Sequence, residues 1–200
     1  MQHDQAPILI DEPLFTSATQ KLILVVLASL ILVAGIWFFL SEQASRREDQ
    51  AHLAFISAKS STEKRQVADQ YSGTQQSALI YLQLANESLD TKPQEALDLY
   101  ESFLKKYGNH LLKNAAALGK AKALESLQKP QEAMAVYQSI VQTKPADTYV
   151  PVALLNLSRL QVAQGQVAAA RQSLQDLITR HAEYAAEAKE RLKSLPEIKS

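Results

Sequence analysis

Four histidines, His3, His52, His110 and His181, are the side chains best suited to bind a metal or move a proton near neutral pH. They are scattered, and no HExxH or similar ligand spacing joins them to a carboxylate. Cysteine is absent. That excludes a thiol nucleophile, a disulfide framework and a cysteine-based zinc site. The five glycines, Gly35, Gly73, Gly108, Gly119 and Gly165, are too far apart to form a phosphate loop. Glu48 and Asp49 are adjacent carboxylates, the pair type used in acid–base catalysis. Neighbours on a helix point apart rather than converge, so they read as a solvated helix face. Tyr100 and Tyr137 read as core packing. The sequence is therefore expected to be non-enzymatic, with no catalytic residues, no cofactor and no metal.

The charge balance narrows the remaining classes. The 200 residues carry 21 basic and 21 acidic side chains. A sequence-independent nucleic-acid binder needs surplus Lys and Arg to displace counterions from phosphate, so no nucleic-acid partner is expected. No polybasic membrane-surface patch or acidic tail is present either. Ala, Leu, Gln, Lys and Glu dominate, and only five Gly and seven Pro interrupt them. That composition favours helix.

Residues 22–40 read LILVVLASLILVAGIWFFL, with no charge and Ser29 as the one polar side chain. As a helix this run spans roughly 28 Å, the thickness of a hydrocarbon core. Trp37, Phe38 and Phe39 stand at one end like an interfacial aromatic belt, and Lys21 bounds the other. The run therefore predicts contact with the lipid bilayer through a single uncleaved transmembrane helix. A cleaved signal peptide is the competing reading. It wants a shorter apolar region and a small-x-small site, whereas Glu42 and Gln43 precede Ala44. A lipobox is excluded by the lack of cysteine. The flanking charges are Lys21 on one side and Arg46 and Arg47 on the other. By the positive-inside rule, that margin of one charge points the C-terminal part towards the cytoplasm. The N-terminal arm carries Asp4, Asp11 and Glu12, which count little in this rule.

The pentapeptide KPQEA occurs twice, at 92–96 and 129–133, a shift of 37. At that shift Ala96, Ala133 and Ala170 coincide. So do Tyr100, Tyr137 and Leu174, then Phe103, Ile140 and Leu177, then Leu104, Val141 and Ile178. Offsets of 0, +4, +7 and +8 make one stripe of an α-helix. The stripe opens with a small residue and continues with large ones, as closely crossing helices require. Pro93 and Pro130 suit a first helical turn, and Gly165 marks the equivalent turn of the third copy. Gly108, Pro145 and, more weakly, Ala182 mark the ends. An earlier helix in each unit is expected over 75–89, 111–127 and 148–164. Two helices per unit at a fixed period predict an α-solenoid. Ala51, Ala54, Phe55 and Ala58 form a further helical stripe, with RQVADQY as its partner. The last segment, AAEAKERLKSL, is polar on most faces and reads as a cap. The expected organisation is an arm over 1–21, a transmembrane helix over 22–40 and a divergent leading helix pair over 41–73. Three repeats follow over 74–109, 110–146 and 147–184, and then a capping helix and tail over 185–200.

These features resemble the tetratricopeptide repeat, in which helix B opens with Ala, carries an aromatic four residues on and is followed by Pro. The middle copy matches best, with Ala121, Ala133, Tyr137 and Pro145. The first copy has Gly108 where Pro is usual, and the third has Leu174 for the aromatic. The family's helix A Trp and Tyr are missing throughout. The resemblance implies an all-α fold of about three to four helix pairs whose first helices line a groove for protein partners. By register it places Tyr81, Leu118 and Leu155 in that groove, with Ala85, Lys122 and Arg159 one turn on. An apolar row beside a basic one would suit a partner segment with some acidic character. The alternative is that Tyr81, Leu118 and Leu155 pack between neighbouring units.

The layout of anchor, Ala-rich exit helix (QAHLAFISA) and ALIYLQLA helix resembles the ancillary SecYEG translocon subunit family of bacteria. That resemblance implies an inner-membrane protein with periplasmic repeats, associated with the SecYEG translocon and a periplasmic chaperone. The Arg46–Arg47 flank departs from that orientation. Two other readings use the same layout: a membrane-anchored scaffold that holds one assembly or faces the cytoplasm to recruit soluble partners, and a secreted soluble repeat protein.

Overall fold

The computed structural model describes residues 17–143 and 148–197, and these are helical with no strand among them. The arm before Ser17, the Pro145 break and the last three residues lie outside the described residues. The chain divides into two units, one ending at Arg47 and one beginning at Glu48.

In the first unit, helix α1 (Ser17–Ser57) carries the only segment among the described residues long and apolar enough to cross a membrane. Its apolar side chains, among them Leu22, Ile31 and Trp37, are exposed rather than packed. Ser29 donates its hydroxyl to the carbonyl of Val26 at 2.7 Å, which satisfies the one polar side chain of the run.

The second unit is a stack of antiparallel helices. After residues 48–57 of α1 come α2 (Ser61–Gln70), α3 (Gln75–Ser88), α4 (Pro93–Lys106), α5 (Lys113–Ser126), α6 (Pro130–Val141), α7 (Val150–Ala163), α8 (Val167–Arg180) and α9 (Ala185–Lys193). From α2 to α9 each helix packs on the next, which is the nearest-neighbour contact pattern of a solenoid. The helix starts follow local chemistry. Ser60 caps α2 by accepting from the Glu63 N–H, and Thr74 caps α3 by accepting from Ser77. Pro93 and Pro130 occupy the first turns of α4 and α6.

The 37-residue stripe is the core. Ala96, Ala133 and Ala170 are fully buried, as are Phe103, Tyr137 and Leu177, and Tyr100, Leu174 and Ile140 are nearly so. The +8 positions, Leu104, Val141 and Ile178, are half-buried at its margin. Small residues let the helices approach, and the large ones fill the space a turn later.

Glu48 and Asp49 separate as helix geometry requires, but only Asp49 is on an exposed face. Glu48 is half-buried, and its two carboxylate oxygens accept from the backbone N–H groups of Gln75 (2.9 Å) and Gln76 (2.6 Å). Both belong to the first turn of α3, whose donors have no partner within the helix. A carboxylate is also favoured there by the helix dipole. The expected solvated pair is thus half structural.

Candidate protein-binding surface

The first helices of the three pairs, α3, α5 and α7, carry the residues that the repeat register assigns to a groove. Lys122 and Arg159 are exposed, Leu118 is half-buried, and Tyr81, Ala85 and Leu155 are buried. Tyr81 is only 2% exposed. Its hydroxyl donates to Asp69 Oδ1 at 2.5 Å and accepts from the Lys106 ammonium. Lys106 also reaches Asp69 at 2.8 Å and lies 4.6 Å from the centre of the Tyr81 ring. One tyrosine thus joins α2, α3 and α4. The hydrogen bond from Lys106, then that from Tyr81, holds the Asp69 carboxyl below its ordinary value. Burial, then the bond to Asp69, pushes the Tyr81 phenol up. The large apolar side chain that α3 does show to solvent is Leu79, two residues earlier and 41% exposed. The 37-residue register could not find it, because its counterparts Ala116 and Ala153 are fully buried.

On α7 the basic position is tied into the stack. Arg159 pairs with Glu125, whose other oxygen accepts the Tyr137 hydroxyl at 2.7 Å. Burial, then that hydrogen bond, pushes the Tyr137 phenol well up. Arg191 on α9 pairs with Glu187 at 2.8 Å and reaches back to the Leu155 carbonyl at 3.5 Å.

Arg159 and Arg191 stand at a pocket of about 320 Å³ beneath the last helix. Ser158, Arg159 and Val162 of α7, Leu174 of α8, and Arg191, Ser194 and Leu195 line it. Two guanidinium groups and two hydroxyls frame three apolar side chains, and no lining residue is acidic. A second cavity of about 320 Å³ lies among α2, α3 and α4. There Arg65 and Lys92 are balanced by Glu87 and Glu95 over Leu84 and Leu99.

The histidines stay apart. His52 contacts Gln76 at 3.3 Å, and His110 Nδ1 accepts from the Leu112 N–H while its ring packs on Phe103 and Tyr107. His181 is buried at the end of α8, and His3 lies outside the described residues. Among the described residues no three His, Cys, Asp or Glu side chains are grouped to hold a metal ion.

A stack of helix pairs with a polar-rimmed apolar pocket defines a helical-repeat protein of the kind that binds other proteins. A model of the tetratricopeptide repeat-like domain matches residues 67–192, more than half of the chain, and the chain belongs to that family. No curated protein matches the chain.

Proposed function

We propose that this chain is a membrane-anchored, non-catalytic protein-interaction module, an accessory of the Sec translocon and a periplasmic chaperone, with its repeats in the periplasm. The observation that carries the anchoring is α1, a long apolar helix with its side chains exposed, in one chain with a tetratricopeptide repeat-like domain. The repeat family supports protein partners. The translocon and chaperone assignment rests on the resemblance in layout alone. The groove reading takes Leu118, Lys122 and Arg159 as the residues a partner would meet.

The second reading, a scaffold facing the cytoplasm, is favoured by one observation, the Arg46–Arg47 flank of the apolar run. One experiment separates the two. The chain has no cysteine, so Ser194→Cys, at an exposed position, is a unique thiol. A membrane-impermeant maleimide added to intact spheroplasts should label it. Photocrosslinkers at Leu118 and Lys122 should then join the chain to the channel. Protection until lysis would overturn the translocon reading and leave the scaffold. An intact mass lacking the first residues through about Ala44 would overturn anchoring altogether.

A further inference from the structure

We infer that the pocket beneath α9 receives an apolar side chain from an acidic partner segment. This inference rests on the protein-binding reading and names the chemistry of the partner at one place. At about 320 Å³ the pocket lies at the small end of the roughly 300–1,000 Å³ range of ligand sites, a size for one or two side chains. Its floor is apolar: Leu174 is 1% exposed, and Val162 and Leu195 are half-buried beside it.

The occupant's charge follows from the rim. Each guanidinium has five N–H donors in a planar fork that fits a carboxylate. Arg159 gives one nitrogen to Glu125, and Arg191 gives one to Glu187 and one, at 3.5 Å, to the Leu155 carbonyl. Donors remain on both forks, and the lining itself holds no carboxylate. The cavity among α2, α3 and α4 has acids and bases in balance and selects no charge. The terminal pocket is therefore complementary to a segment that pairs Leu or Phe with Asp or Glu. A basic segment would bring further cations to two guanidinium groups, each already paired with one glutamate, and no acceptor for their remaining N–H donors.

The test uses the full chain in detergent micelles. Two short fluorescein-labelled peptides serve as probes. In one, Leu and Phe alternate with Asp and Glu; in the other, Lys and Arg replace the acids. Anisotropy should show the acidic peptide binding at least about tenfold more tightly, with an advantage that shrinks at high salt. Arg191→Gln and Leu195→Asp should each weaken it about tenfold or more. Val162→Phe fills the pocket, keeps both arginines and should do the same. Lys105→Gln, at an exposed position on α4 outside the pocket, should change it little. Helical melting curves confirm that each variant is folded. Equal binding of the two peptides, no binding of either, or acidic binding unaffected by Val162→Phe and Arg191→Gln would overturn the inference. Crosslinks from Leu118 or Lys122 to a partner would in that case leave the protein-binding reading standing.

Discussion

Gly119 on α5 lies directly against the ring of Tyr100 on α4. A Cβ built on Gly119 would sit 2.2 Å from Tyr100 Cζ, 2.4 Å from Cε1 and 2.5 Å from the hydroxyl oxygen. The ring cannot retreat, because it is 1% exposed and its hydroxyl donates to Asn86 at 2.5 Å. The glycine is thus needed for close approach of two helices. Gly119→Ala should destabilise the domain by about 2–3 kcal/mol, since overpacking outweighs the gain in helix propensity. In a Tyr100→Leu background the same change should cost little. Thermal melts of the four proteins give the coupling, and additive costs would show that the ring is not the obstacle.

Gln128 and Gly165, one repeat apart, close the turns after α5 and α7 with left-handed backbones, φ 59° and 73°. In both turns the next residue's N–H reaches back five residues, from Lys129 to Leu124 (2.9 Å) and from Gln166 to Gln161 (2.8 Å). That is the helix stop in which glycine is preferred. Gln128→Gly should therefore stabilise the domain by about 0.5–1 kcal/mol, and Gly165→Ala should destabilise it by about 1 kcal/mol. Denaturant midpoints moving the same way in both variants would refute the argument.

The link from Glu48 to α3 makes a separate prediction. Glu48→Ala leaves the Gln75 and Gln76 N–H groups without the carboxylate. Loss of such a cap costs about 1 kcal/mol, so amide exchange over the first turn of α3 should speed up about fivefold while the α7–α8 amides are unchanged. Exchange at Gln75 and Gln76 that matches the unsubstituted protein would show the cap to be unimportant in solution.

The core was legible in the sequence, and the surface much less so. A stripe of one Ala followed by large side chains, repeated at 37 residues, reports what packs inside, because every copy must solve the same helix crossing. What a copy shows to solvent is free to differ. Tyr81 shares its register position with Leu118 and Leu155, yet its hydroxyl finds Asp69 and Lys106 and its ring turns inward. Neither partner lies within ten residues of it, so no local pattern announces the contact. The acceptor role of Glu48 is hidden for the same reason: its donors are 27 and 28 residues away. The pocket at α9 needs residues from three helices, and only Arg159 and Leu174 among them stood out by register.

Asp69 predicts behaviour in acid. Its carboxyl is held below its ordinary value by Lys106 and Tyr81, so its folded pKa lies beneath its unfolded one. The stabilisation is present above about pH 4 and is lost as pH falls through the folded value. The side chain is 53% exposed, so solvent screening limits the effect to about 1 kcal/mol or less. Asp69→Asn should lower stability at pH 7 by that amount and flatten the acid limb of a stability profile. A variant whose acid limb superposes on that of the parent would remove Asp69 from the account.

Tyr100 predicts the alkaline limb. Burial pushes its phenol from 10.0 up to about 12. The folded value lies above the unfolded one, so the stabilisation is complete below about pH 10. Between pH 10 and 12 the unfolded chain releases the proton and the folded chain keeps it. Stability therefore falls across that window, by about 2–3 kcal/mol at most for a two-unit shift, and levels off above it. Tyr81 and Tyr137 are pushed in the same direction, so they add to the same limb. Tyr100→Phe should reduce the slope between pH 10 and 12 without abolishing it. At pH 7 it should cost only about 0.5–1.5 kcal/mol, because Asn86 is exposed and water can replace the hydroxyl. Urea midpoints at several pH values measure both quantities. A slope that Tyr100→Phe leaves intact would assign the whole limb to Tyr81 and Tyr137.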